Sequence, residues 1–92
     1  MTEAELKRAV LRLAYSHGWL VYHVPATNVR GSQGRGYPDL TLAKAGRVLW
    51  LELKQQNGRV REEQLQWAAA LPVGQYYVIR PTDLEWLHEV LA

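Results

Sequence analysis

Two apolar runs meet at Ala45-Gly46, and the brevity of that junction constrains the chain more than any other feature. Asp39-Leu40-Thr41-Leu42-Ala43 and Arg47-Val48-Leu49-Trp50-Leu51-Glu52-Leu53-Lys54 are rich in leucine, β-branched and aromatic residues, the composition of strands. A two-residue turn makes them a hairpin with Lys44 facing Arg47. Counting outward from that pair sets Asp39 opposite Glu52. Side chains alternate along a strand, so Glu52 and Lys54 share one face while Leu51 and Leu53 enter the core. Two carboxylates facing each other across a ladder repel. A divalent cation between them removes the conflict, and a neighbouring ammonium helps.

Charge is distributed in keeping with such a site. Between Leu6 and Arg61 the only acids are Asp39 and Glu52, among Lys7, Arg8, Arg12, Arg30, Arg35, Lys44, Arg47, Lys54, Arg59 and Arg61. Surface strands also carry scattered charges. The confinement of both acids to facing positions within a basic stretch favours a site. The formal net charge is only +2 because Asp83, Glu85 and Glu89 lie in the tail. A basic field around two acids suits a polyanionic substrate better than a membrane surface.

The remaining elements follow from periodicity and punctuation. Thr2 and Glu5 form a capping box opening a helix with Leu6, Ala9, Val10 and Leu13 on one face, and Gly18 stops it. Trp19 to Val24 reads as a strand ended by Pro25. Ala26 to Tyr37 is a long, glycine-rich, basic loop, a length that is commonly functional. After the hairpin comes an Asn57-Gly58 turn, then a helix over Glu62 to Leu71 with Leu65, Ala68 and Ala69 inward. Pro72-Val73-Gly74 breaks that helix, Gln75 to Ile79 forms a fourth strand, and Thr82 caps a last helix carrying Leu84, Leu87, Val90 and Leu91. The expected order is αβββαβα in one domain spanning residues 1–92.

At 92 residues the core is small, and the chain carries four tryptophans and five tyrosines. Trp19, Trp50, Trp86, Tyr76 and Tyr77 are hard to bury together in so thin a domain, so some are expected at a contact between subunits. Cysteine is absent, which excludes disulfides and thiolate zinc sites. The N-terminus lacks a signal-peptide pattern and no apolar run reaches membrane-spanning length, so a soluble, cytoplasmic protein is expected. No serine has a histidine and acid partner for nucleophilic hydrolysis. Gly31-Ser32-Gln33-Gly34-Arg35-Gly36 precedes a strand, which is not the context of a nucleotide-binding loop. His17 and His88 read as helix-end or helix-face residues with nothing to pair them as zinc ligands.

Taken together, Glu3, His23, Asn28, Gly36-Tyr37-Pro38-Asp39, Glu52-Leu53-Lys54 and Gln64-Leu65-Gln66-Trp67 resemble the ordered motifs of the PD-(D/E)xK nucleases, and more narrowly of the VRR-NUC family. The resemblance covers almost the whole chain. Arg61 stands where the family commonly has a Ser or Thr cap, and Lys7 where a Gln is frequent. The resemblance implies an α/β, restriction-endonuclease-like fold with a central four-stranded mixed sheet flanked by helices. It also implies a Mg²⁺- or Mn²⁺-dependent endonuclease acting on structured DNA. Stand-alone bacterial and phage members resemble homodimeric resolvases of four-way (Holliday) junctions. The alternatives are a non-cleaving module that binds structured DNA, or a nuclease for flaps, single-stranded ends or RNA.

The same resemblance assigns roles. Asp39, Glu52 and the Leu53 carbonyl would ligate the metal, since hard cations prefer oxygen. Glu3 would complete the set from the first helix, with Glu5 as its competitor. Lys54 would orient the attacking water and stabilise charge on the phosphate. Gln64 would contact the water, a metal ligand or Lys54, and Trp67 would be a core residue holding its helix on the sheet. Arg30 and Arg35 would touch the DNA backbone from the basic loop, with Asn28 nearby. His23 would either touch phosphate or sit half-buried in its strand.

Overall fold

The computed structural model describes residues 1–24 and 34–92. Its elements run α1 (Glu3–Ser16), β1 (Leu20–His23), β2 (Leu40–Lys44), β3 (Arg47–Leu53), α2 (Glu62–Ala70), β4 (Tyr76–Ile79), a 3₁₀ turn at Pro81–Asp83, and α3 (Leu84–Leu91). The chain is therefore α/β in the order αβββαβα. The four strands form one mixed sheet in sequence order, β1-β2-β3-β4, with antiparallel pairs until β3 meets β4 in parallel. No helix among the described residues is long and apolar enough to cross a membrane.

The hairpin register follows from its turn. Ala45 (φ 51°) and Gly46 (φ 81°) both take the left-handed conformation that a tight two-residue turn demands. Lys44 then pairs with Arg47, and Leu40 with Leu51. Leu40 and Leu42 on β2 and Leu49, Leu51 and Leu53 on β3 point to one face. There they meet Leu6, Val10 and Ala14 of α1, Leu87 and Leu91 of α3, Trp19 and Ile79. That single cluster is the hydrophobic core. Ala14 thus takes a core place on α1, while Ala9 and Leu13 are only partly buried.

On the opposite sheet face Thr41, Trp50, Glu52 and Tyr76 stand among Ala43, Val48 and Val78, and α2 is tied to that face through Gln64 and Glu52. Trp50 Nε1 donates to the Tyr37 hydroxyl at 3.0 Å, and that hydroxyl lies 3.2 Å from Thr41 Oγ1. The inward side of α2 differs from expectation. Leu65 is 55% exposed and Ala69 is also exposed, whereas Gln64 is buried. Trp67 is not a core residue. Its indole donates to the Arg35 carbonyl at 3.0 Å and its ring meets Tyr37 edge-on at 4.8 Å, so it fastens α2 to the segment before Asp39. The physical reason is that this side of α2 meets the buried Glu52 carboxyl, where a glutamine finds a partner and a leucine does not.

Gly36 (φ 82°) lies at the closest approach of that segment to α2. A Cβ there would fall 2.5 Å from the Glu63 carbonyl carbon. At the other end, Thr82 does not cap the last helix. Asp83 Oδ2 accepts the Arg80 N–H at 2.8 Å, and α3 continues from the 3₁₀ turn.

Most of the aromatic excess is absorbed within the fold. Trp19 is buried and its indole donates to the Leu91 carbonyl at 2.8 Å. Trp50, Tyr76 and Tyr77 are partly buried. Trp86, 43% exposed, stacks edge-on against Tyr77 at 5.0 Å.

Candidate active site

Asp39 immediately precedes β2, and continuing the ladder from Leu40 and Leu51 sets it across from Glu52. Asp39 Oδ2 accepts the Leu53 N–H at 2.8 Å, which holds the carboxylate at the end of β3 and leaves its second oxygen outside that bond. Glu52 is only 2% exposed. Its Oε2 accepts from Gln64 Nε2 at 2.6 Å, and Lys54 Nζ stands 3.9 Å from the same oxygen. Glu52 Oε1 is buried with no hydrogen-bond partner among the described residues. Burial pushes the Glu52 carboxyl up to about 8, reinforced by the negative charge of Asp39 and opposed by Lys54.

Gln64 has two attachments. While its Nε2 serves Glu52, its Oε1 accepts the Arg61 N–H at 2.8 Å. Arg61 contributes no side-chain cap to α2, so the glutamine satisfies an otherwise free backbone donor at the helix start. One amide therefore ties the first turn of α2 to the carboxylate of β3. On the far side of Lys54, Arg80 Nη1 donates to the carbonyls of Gln55 and Gly58, each at 2.8 Å, and fixes the turn where the chain leaves β3.

A cavity of about 240 Å³ opens beside Asp39, lined by Glu3, Ala4, Lys7, Val24, Asp39 and Leu53. Glu3 is exposed on its wall. Glu5 is occupied elsewhere: it accepts the Thr2 N–H at 2.7 Å in the capping box, and that bond lowers its pKa. It borders a different cavity, with Gln55 to Gly58. Among the described residues no three His, Cys, Asp or Glu side chains cluster as a metal centre. The donor set beside Leu53 is the Asp39 and Glu52 carboxylates. That set suits Mg²⁺, which retains several waters and is commonly bound through one or two carboxylates. The buried, unpartnered Glu52 Oε1 is the structural observation that fits such an ion.

His23 and Arg35 are both exposed, so the half-buried alternative for His23 does not hold. Arg30 and Asn28 lie outside the described residues. Tyr76 was not anticipated. It is partly buried, its hydroxyl has no partner among the described residues, and its pKa is raised by burial and by the charges of Glu52 and Asp39. Tyr76 pairs with Trp50 in the parallel ladder, two residues before Glu52. Only that pairing brings it to the site, and no local motif announces it. His17 and His88, expected to be unrelated, are also brought together, with the His17 carbonyl held by Lys44 at the hairpin turn: Nε2 and Nδ1 lie 3.3 Å apart.

No family model, curated protein or solved structure matches this chain.

Proposed function

We propose that the chain is a divalent-metal-dependent phosphodiester nuclease with a restriction-endonuclease-like core of the VRR-NUC type, acting on structured DNA. The observation that carries this reading is the buried Glu52 carboxylate, facing Asp39, held by Gln64 and flanked by Lys54. Burying an acid beside another acid is costly unless a cation compensates. A surface that merely binds DNA gains nothing from it, since bare carboxylates repel phosphate.

Asp39, Glu52 and the Leu53 carbonyl would hold Mg²⁺ or Mn²⁺, with Glu3 approaching from the cavity wall. When bound, the ion supplies positive charge opposite the phosphate and acidifies water. The protein's own groups do the positioning. Gln64 engages Glu52 Oε2 and leaves Oε1 for another partner. Asp39 is locked against the Leu53 amide. Lys54 presents an ammonium on the face shared with Glu52, where it orients the attacking water and stabilises charge on the phosphate oxygens. Exposed Arg35, with Arg30, His23 and Asn28, forms the backbone-contacting set. Phosphate contacts of this kind position DNA without reading its sequence.

The finer reading is paired nicking of four-way junctions by a homodimer, because two symmetry-related sites suit a symmetric substrate. Incubation with labelled four-way, flap and linear duplex DNA, with and without Mg²⁺ or Mn²⁺, tests it. Paired, metal-dependent cuts confined to the junction are the expected result. Preferential cleavage of flaps or single-stranded ends would transfer the activity to that substrate class, and no cleavage of any DNA would remove the DNA-nuclease reading.

A further inference from the structure

The two histidines that the fold brings together are 71 positions apart in sequence. His17 ends α1, and its backbone N–H is held by the Leu13 and Ala14 carbonyls. His88 lies in the last turn of α3. Their backbones are fixed from both sides: Lys44 Nζ donates to the His17 carbonyl at 2.6 Å, and Trp19 Nε1 donates to the Leu91 carbonyl at 2.8 Å. The imidazoles face each other with His17 Nε2 and His88 Nδ1 at 3.3 Å, ring centroids 4.9 Å apart and planes tilted by 56°.

That separation matches an edge of a tetrahedral metal site. Two nitrogens bound at about 2.0–2.1 Å to one tetrahedral ion stand about 3.3–3.4 Å from each other. The corresponding ring centroids stand about 5 Å apart, close to the spacing seen. We propose that His17 and His88 form a binding site for a borderline divalent transition-metal ion, Zn²⁺, Ni²⁺ or Cu²⁺, distinct from the acidic pair at Asp39 and Glu52. Imidazole nitrogen selects these ions over Mg²⁺, which prefers oxygen. Both facing nitrogens must offer lone pairs, so His17 carries its proton on Nδ1 and His88 on Nε2 in the loaded form. His17 is partly buried and His88 exposed, which leaves the outer side of the ion to water. The Lys44 ammonium donates to the His17 carbonyl, and Glu85 and Glu89 share α3 with His88. Occupancy would clamp the end of α1 to α3 and favour the folded chain by mass action.

The test adds ZnCl₂ or NiCl₂ to the whole chain, following imidazole ¹H–¹⁵N resonances with Zn²⁺ and thermal melting with either ion. The expected result is perturbation of the His17 and His88 rings but not His23, with a rise in Tm of several degrees in Glu52→Gln, which lacks the acidic pair, that Mg²⁺ does not reproduce there. In that background His88→Ala, a substitution at an exposed position, should lose the rise, and His17→Ala likewise. A rise that survives His88→Ala in the Glu52→Gln background, or is absent from Glu52→Gln itself, overturns the assignment. Unperturbed His17 and His88 rings at molar excess of Zn²⁺ also overturn it, and leave a simple imidazole–imidazole hydrogen bond.

Discussion

The side-chain amide of Gln64 joins Glu52 Oε2, at 2.6 Å, to the backbone N–H of Arg61, at 2.8 Å. A single residue thus caps α2 and orients the carboxylate at the centre of the candidate site. Stability and site geometry are coupled through it. Gln64→Leu should cost about 1–3 kcal/mol, because it strips partners from a buried carboxyl and a helix-end donor. Gln64→Glu retains an acceptor for Arg61 but sets a third acid against Glu52. It keeps the helix-end bond but removes the donor to Glu52, so it should lose part of that stability and cleave far more slowly. Denaturant midpoints and single-turnover cleavage of both variants separate the two roles.

The raised Glu52 carboxyl makes the metal-free protein pH-dependent. Its pKa moves from the usual 4.5 to about 8 in the fold, so the native state holds a proton that the unfolded chain releases between those values. Stability should be full below the ordinary carboxylate range and fall as pH rises through about 8. The fall is on the order of a few kcal/mol. Urea titrations of metal-free protein across this range, compared with Glu52→Gln, check the sign: the variant should show a flatter profile. Since a cation favours the ionised carboxyl, Mg²⁺ should stabilise the parent most at alkaline pH.

Gly36 predicts a sharp steric effect. Its positive φ, and the 2.5 Å approach that an added Cβ would make to Glu63, penalise any substitution twice. Gly36→Ala should destabilise by about 2 kcal/mol or more. Because the displaced partner is the first turn of α2, cleavage should fall with it. Gly46→Ala provides the comparison, since nothing lies within 4 Å of its added carbon, and it should show the conformational penalty alone. Urea midpoints of the two variants, measured side by side, separate the clash from the backbone cost.

How much of this could be read from the chain depended on how local each constraint was. The hairpin and its register were legible because a two-residue turn and a two-residue side-chain period leave no freedom between Asp39 and Glu52. The α1 capping box was legible for the same reason. The inward face of α2 was not, because Leu65 satisfies an apolar periodicity that matters only over an apolar surface. There the sheet presents Glu52, and Gln64 takes the place that pattern reasoning gives to leucine. Tyr76 reaches the site through the parallel β3–β4 pairing, and His17 meets His88 through packing of the two terminal helices. Neither relationship leaves a trace in sequence spacing.

Exposed Arg35 is expected to contact phosphate and not bases. Arg35→Ala should weaken binding about equally on unrelated sequences and reduce the salt slope by about one phosphate contact. Fluorescence anisotropy at several salt concentrations reads both quantities. A changed base preference at constant slope would assign Arg35 to base recognition.

The most direct measurement is single-turnover cleavage of labelled four-way junction DNA in Mg²⁺ by the parent, Asp39→Asn and Glu52→Gln, with DNA affinity measured alongside. Both variants should lose cleavage by at least about a thousandfold, the scale expected when the groups that hold a charge-stabilising ion are removed. Their DNA affinity should be unchanged or improved, because each removes one acid near the phosphate. Parent-like cleavage by either variant, or by the parent in excess EDTA, would contradict the account.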